Sequence, residues 1–140
     1  MKKLFFLIFP FLSVSLTACY GPPHAEFEVK GKVVDENNIP IHNICIATSS
    51  ENGHIYPDTV YTDAAGLYSI RNSVTGSQEL TLKVTSTDID GEENGGDFIE
   101  KAQIVDIKSA DYTGAKKNDS WHDGKATKIV NFRLEKNENP

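Results

Sequence analysis

Phe27-Glu28-Val29-Lys30-Gly31-Lys32-Val33 sets apolar side chains at 27, 29 and 33 against charged ones at 28, 30 and 32. Successive side chains of a strand point to opposite faces, so this alternation describes a strand with one wet and one dry face. The same period returns at Leu80, Leu82 and Val84 against Thr81, Lys83 and Thr85, and at Val130, Phe132 and Leu134 against Asn131 and Arg133. Residues 41–48, 59–62, 67–70 and 98–107 complete the strand-like runs, and no segment carries a helical period. Asn37-Asn38-Ile39-Pro40 and Asp63-Ala64-Ala65-Gly66 punctuate them with turn chemistry. About seven short strands separated by turns predict an all-β fold, a two-sheet antiparallel β-sandwich of transthyretin-like or immunoglobulin-like type. Strict alternation of strand direction would put the 35–40, 63–66 and 88–97 connections at one end. The start at Phe27 and the 108–125 connection would then lie at the other.

What precedes the sandwich reads as an address. Lys2 and Lys3 open an apolar run over residues 4–12 that carries Phe5, Phe6, Phe9 and Phe11. Pro10, Ser13, Ser15 and Thr17 keep the stretch short of the roughly 20 apolar residues a membrane span needs, so a secretory signal is expected. Leu16-Thr17-Ala18-Cys19 then resembles a bacterial lipobox. The resemblance implies cleavage before Cys19, a lipid on its thiol and acylation of its new amine. Two or more acyl chains anchor a protein stably where one does not. Tyr20 stands where an Asp would imply retention at the inner membrane, so a cell-envelope lipoprotein of the outer membrane is expected, on the periplasmic face or the cell surface. The organisation expected is a signal peptide over 1–18, a lipidated tether over 19–26 stiffened by Pro22-Pro23, a sandwich over 27–135 and a disordered tail over 136–140.

Charge and cysteine count narrow the class. Without Lys2 and Lys3, the 14 basic residues become 12 against 20 acidic ones, a formal charge of −8. Such a domain is a poor partner for nucleic acid, and its scattered basic residues form no run along the sequence. With Cys19 lipidated, Cys45 has no intramolecular partner. Within Ile44-Cys45-Ile46 it is expected to act as a small buried hydrophobe.

Two resemblances cover most of the chain. Gly31-Lys32-Val33-Val34-Asp35, Pro40-Ile41-His42-Asn43-Ile44-Cys45-Ile46 and Thr62-Asp63-Ala64-Ala65-Gly66-Leu67-Tyr68-Ser69-Ile70 resemble the carboxypeptidase-regulatory-like, transthyretin-like domain over about residues 31–88. There Asn38 replaces the usual Gly of a left-handed position, and Tyr68 and Ile70 would point into the core. Thr87-Asp88-Ile89-Asp90-Gly91-Glu92-Glu93-Asn94-Gly95-Gly96-Asp97-Phe98 and Asp119-Ser120-Trp121-His122-Asp123-Gly124 resemble a family of Bacteroidota lipoproteins named for neighbouring radical-SAM genes. That family carries no established activity. The transthyretin-like hydroxyisourate hydrolases end in Tyr-Arg-Gly-Ser, whereas this chain closes Leu134-Glu135-Lys136-Asn137-Glu138-Asn139-Pro140, so their activity does not carry over.

Chemistry-bearing residues are few. His24, His42, His54 and His122 are dispersed in sequence, without zinc-site spacing, and no nucleophile elbow or phosphate loop occurs. The 88–97 loop offers Asp88, Asp90, Glu93 and Asp97 as hard oxygen ligands for Ca2+, with Gly91, Gly95 and Gly96 to fold around an ion. Its spacing departs from the EF-hand loop, and a solvated glycine-rich turn is the alternative. Trp121, in the long 108–125 connection, is either a partner-binding platform or an aromatic that pins the loop. The function expected is a non-catalytic, lipid-anchored binding or accessory module, without a cofactor other than Ca2+, for a protein or glycan partner. The alternative is a substrate or carrier of a radical-SAM-linked system.

Overall fold

The structure is a computed structural model that describes residues 23–52, 55–76, 78–115 and 122–138. Cys19, Trp121 and His54 lie outside the described residues. Among the described residues eight strands run in the order β1 (His24–Val34), β2 (Ile44–Ser50), β3 (Asp58–Tyr61), β4 (Leu67–Thr75), β5 (Leu80–Asp88), β6 (Lys101–Ile107), β7 (His122–Ile129) and β8 (Phe132–Arg133). One sheet has the order β4-β1-β7, with β8 also paired to β1, and the other has β3-β2-β5-β6. Phe27, Val29, Val33, Ile70 and Phe132 from the first sheet bury against Ile44, Ile46, Leu82, Val84 and Ile107 from the second. Each residue belongs to the apolar phase of an alternating run, so the all-β sandwich follows from the period.

The antiparallel expectation needs correction. β7 and β8 both pair with β1 in parallel, from His24 opposite His122 to Val34 opposite Arg133. The first half of β7 lies inside the stretch expected to be a long connection. Its inward residues are Gly124 and Ala126, while Ile129 points out to solvent, so the apolar period that marks other strands is missing there. The ordered chain also exceeds 27–135. Ala25 is fully buried in β1, and Lys136 bridges Phe98.

Strand registers set the two ends. Ile44 lies opposite Asp88, Lys32 opposite Leu67, and Val34 bridges Pro40. The 35–40, 63–66 and 88–97 connections therefore gather at one end. His24 lies opposite Thr75 and His122, so the chain enters the sandwich at the other end.

Between β7 and β8 the chain dips across β1. Val130 donates from its N–H to the Lys30 carbonyl (2.9 Å), and the Asn131 Oδ1 accepts from the Lys32 N–H (2.9 Å). A Cβ on Gly31 would stand 1.9 Å from the Val130 carbonyl oxygen, so only glycine admits this crossing. The Tyr68 hydroxyl, opposite Gly31 in register, donates to that same carbonyl, and burial pushes the phenol up.

On the outer face of the first sheet, long side chains of adjacent strands cover Glu28. Its carboxylate meets Lys125 Nζ at 2.6 Å and Arg71 Nε at 3.5 Å, and it accepts the Ser69 hydroxyl at 2.9 Å. The Lys125 contact, then Ser69, lowers Glu28 to about 2, from an ordinary value of 4.5. A carboxyl depressed by folding stabilises the native state above its unfolded value, and that contribution disappears as pH falls toward the folded value. Arg71 is largely exposed, so solvent screening limits the total. The native chain should lose about 1 kcal/mol through Glu28 between about pH 5 and pH 2. The Glu28→Gln variant should lack that component, as urea unfolding at low and high pH would measure.

Candidate functional site

The end that gathers the three connections is built by one repeated device. Asp35 Oδ1 accepts the N–H groups of Asn37 (2.8 Å) and Ile39 (2.9 Å). Asp63 Oδ1 accepts those of Ala65 and Leu67, both at 2.9 Å. Asp88 accepts from Asp90 (3.1 Å) on one oxygen and from Phe98 (3.0 Å) on the other, closing the long loop. A short carboxylate following a strand thus satisfies backbone donors that a turn leaves without a ladder partner. Asn38, Asn43 and Asn94 all adopt left-handed backbone here, with φ of 62°, 63° and 53°. Asparagine tolerates that region best after glycine, which accounts for Asn38 in a glycine-type turn.

The four expected calcium ligands do not converge. Asp88 spends both oxygens on the loop backbone. Asp90 Oδ2 accepts the side-chain amides of Asn94 and of Asn43, the latter at 3.3 Å. Asp97 turns to Asn137, whose Nδ2 donates to its carboxylate at 3.2 Å. Glu93 is exposed, and its N–H donates to the Asp90 carbonyl at 3.5 Å. Among the described residues no three of Asp, Glu, His or Cys group as a cation site. Burial, then the hydrogen bond with Asp90, pushes the Asp88 carboxyl up. Burial acts on Asp90 in the same sense, but hydrogen bonds with Asn94, Asp88 and Asn43 outweigh it and hold Asp90 low. The two neighbouring carboxyls are therefore shifted in opposite directions.

Other candidates also move. Cys45 does not face the core: it lies half-buried on the outer face of the second sheet, opposite Tyr61 and Thr87, and desolvation raises its thiol. Register brings His24 opposite His122, whose Nδ1 accepts the Gly124 N–H at 3.1 Å, while His42 is exposed in the connection before β2. One feature has no signal in the alternating pattern. An open groove of about 290 Å³ on the outer face of the first sheet lies among Lys30, Lys32, Leu67, Ile129 and Asn131. Its only sequence mark is that Leu67 and Ile129 fall on the solvent phase of their strands.

No family model matches the chain, and no curated protein matches it in sequence. Among solved structures, it is similar to 3-chlorocatechol 1,2-dioxygenase from Rhodococcus opacus 1CP, with a TM-score of 0.52 and 11% identity over 85% of this chain. Hydroxyquinol 1,2-dioxygenase from Pseudomonas putida DLL-E4 gives 0.50 and 10% over 85%, and chlorocatechol 1,2-dioxygenase from Pseudomonas putida gives 0.50 and 13% over 80%. The chain spans 62%, 58% and 61% of those three proteins. Such identities establish a shared fold alone. They nevertheless correct the expectation of a non-catalytic binding module: the neighbours that share this sandwich are enzymes, and the closing residues of the chain argue against hydroxyisourate hydrolysis alone.

The Asp88 clamp can be tested directly. Asp88→Ala leaves two loop N–H groups without their acceptor and should cost about 1–3 kcal/mol. Asp88→Asn keeps one side-chain oxygen and should fall between it and wild type. Chemical unfolding, with faster amide exchange at Phe98 as the local readout, measures both.

Proposed function

We propose that this chain is a cell-envelope lipoprotein, held at the outer membrane by lipid on Cys19, and that it belongs with the Bacteroidota lipoproteins named for neighbouring radical-SAM genes. The observation that carries the reading is polarity of the fold. β1 starts at His24, shortly after the lipobox-like Leu16-Thr17-Ala18-Cys19, and it starts at the end opposite the 35–40, 63–66 and 88–97 connections. A lipid on Cys19 would act through a short Pro22-Pro23 tether, so the sandwich would stand on its His24 end and turn its aspartate-clamped end away from the bilayer. That outward end is where a protein or glycan of the envelope would be met.

Intact mass of protein purified from its native host tests the anchor. The chain should begin at Cys19 and carry acyl mass, and it should fractionate with membranes. Cys19→Ala should abolish all three properties while leaving the fold unchanged by circular dichroism. An unacylated wild-type chain in the soluble fraction would overturn the reading.

The shared scaffold favours a second reading, in which the sandwich performs an oxygenation like those named for its structural neighbours. Oxygen uptake by the native-host protein with 3-chlorocatechol or hydroxyquinol tests it. Consumption matched to substrate loss supports the reading, and a rate equal to the protein-free blank removes it.

A further inference from the structure

The backbone nitrogen that follows an asparagine can attack its side-chain amide carbon, and the fold sorts its asparagines by whether that nitrogen is engaged. Asn37 is followed by Asn38, whose N–H donates to the Asp35 carbonyl, and Asn38 by Ile39, whose N–H donates to Asp35 Oδ1. Asn43 precedes Ile44, whose N–H donates to Thr62 Oγ1, and Asn72 holds the N–H of Ser73 on its own Oδ1. Asn131 precedes Phe132 and Asn137 precedes Glu138, so a side chain flanks the attacking nitrogen in both. Asn94 differs. The residue after it is Gly95, which has no side chain to shield its nitrogen, and that N–H has no hydrogen-bond partner among the described residues. Both residues are exposed in the 88–97 loop, on positive-φ backbone. Asn52-Gly53 is the other such pair in the chain, and Gly53 lies outside the described residues.

We propose that Asn94 is a site of spontaneous deamidation, through a cyclic imide closed by the backbone nitrogen of Gly95. That nitrogen bonds to Asn94 Cγ, the bond from Cγ to Nδ2 breaks, and the displaced Nδ2 leaves as ammonia with the proton from Gly95. Water then opens the imide at either carbonyl. One opening leaves an aspartate at position 94, and the other leaves an isoaspartate that carries the chain through its side-chain carbon. Both products act on the same contact. The Asn94 amide donates to Asp90 Oδ2, which also accepts from Asn43 at 3.3 Å. Deamidation replaces that donor with a carboxylate, so a hydrogen bond gives way to repulsion between like charges. The Asp88 oxygens still hold the N–H groups of Asp90 and Phe98, so the disturbance stays within the middle of the loop. The end of the sandwich opposite His24 thus gains negative charge and a looser loop, in one direction only, as the molecule ages. The proposal does not depend on the membrane anchor.

Ageing the purified protein in warm, mildly alkaline buffer, followed by peptide mapping by mass, tests it. Position 94 should convert at least about tenfold faster than Asn37, Asn38, Asn43 and Asn72. The product should contain isoaspartate, read by methylation with an isoaspartyl methyltransferase, and the rate should rise with pH because the deprotonated nitrogen attacks. In urea those four asparagines should speed up, since unfolding frees the nitrogens that the fold engages. Asn94→Gln, whose longer side chain disfavours ring closure, should remove the fast conversion with an unchanged melting temperature. Asn94→Asp should speed amide exchange over residues 90–95, as the aged protein does. Conversion at position 94 no faster than at the four would overturn the proposal. So would a product free of isoaspartate, which would mean direct hydrolysis without the imide. Rates at the four that urea leaves unchanged would overturn the sorting by the fold, and wild-type exchange in Asn94→Asp would overturn the effect on the loop.

Discussion

The carbonyl of Val130 occupies the space that a side chain at residue 31 would need, and much of the first sheet follows from that close approach. β1 is the strand on which β4, β7 and β8 all pair, yet β7 and β8 are separated by a dip in the chain. Gly31 makes room for the dip, and Asn131 lends its side-chain oxygen to the β1 ladder where backbone pairing lapses. Tyr68 satisfies the Val130 carbonyl, which would otherwise be an unmet acceptor costing about 1–3 kcal/mol in the interior. With the crossing in place, Val130 is buried and Phe132 continues the core beside Val33.

The two ends of the sandwich obey different rules. At the end distal to His24, three aspartates each hold a turn by accepting two backbone donors. In the 88–97 loop the Asp88 and Asp90 oxygens accept hydrogen bonds from the loop itself and from Asn43. The acidity there is mainly architectural, and folding shifts the two neighbouring carboxyls in opposite directions, Asp88 up and Asp90 down. On the sheet face, by contrast, Glu28 gathers the nearby cations of the lower half and leaves Lys30 and Lys32 to the solvent. The fold shared with 1,2-dioxygenases at 10–13% identity speaks to the scaffold, and function has to be argued from such local arrangements.

How much was legible in the sequence depended on whether burial and alternation agreed. β1 and β5 could be read because every second residue is large and apolar on one side only. β7 could not, since it packs inward with Gly124 and Ala126 and carries its one large apolar residue outside. The parallel pairing of β7 and β8 was equally hidden, because alternation assigns faces and not neighbours. The ends of the strands, and so the gathering of three loops, could be inferred from strand order. Cys45 was misplaced because the flanking Ile44 and Ile46 hold the core phase and leave position 45 outside. The 88–97 oxygens were visible by type, but only the folded loop reveals that they are spent on Phe98, Asp90 and Asn94. The outer groove is a product of register between three strands, and no single run encodes it.

The most direct test of the central constraint is urea unfolding of Gly31→Ala beside wild type. Its Cβ would have to displace the Val130 carbonyl, breaking the Tyr68 contact and the docking of β8 together. A cost above about 4 kcal/mol, or loss of cooperative unfolding, is the predicted result. A variant that unfolds within about 1 kcal/mol of wild type would show that the crossing does not hold the sheet together.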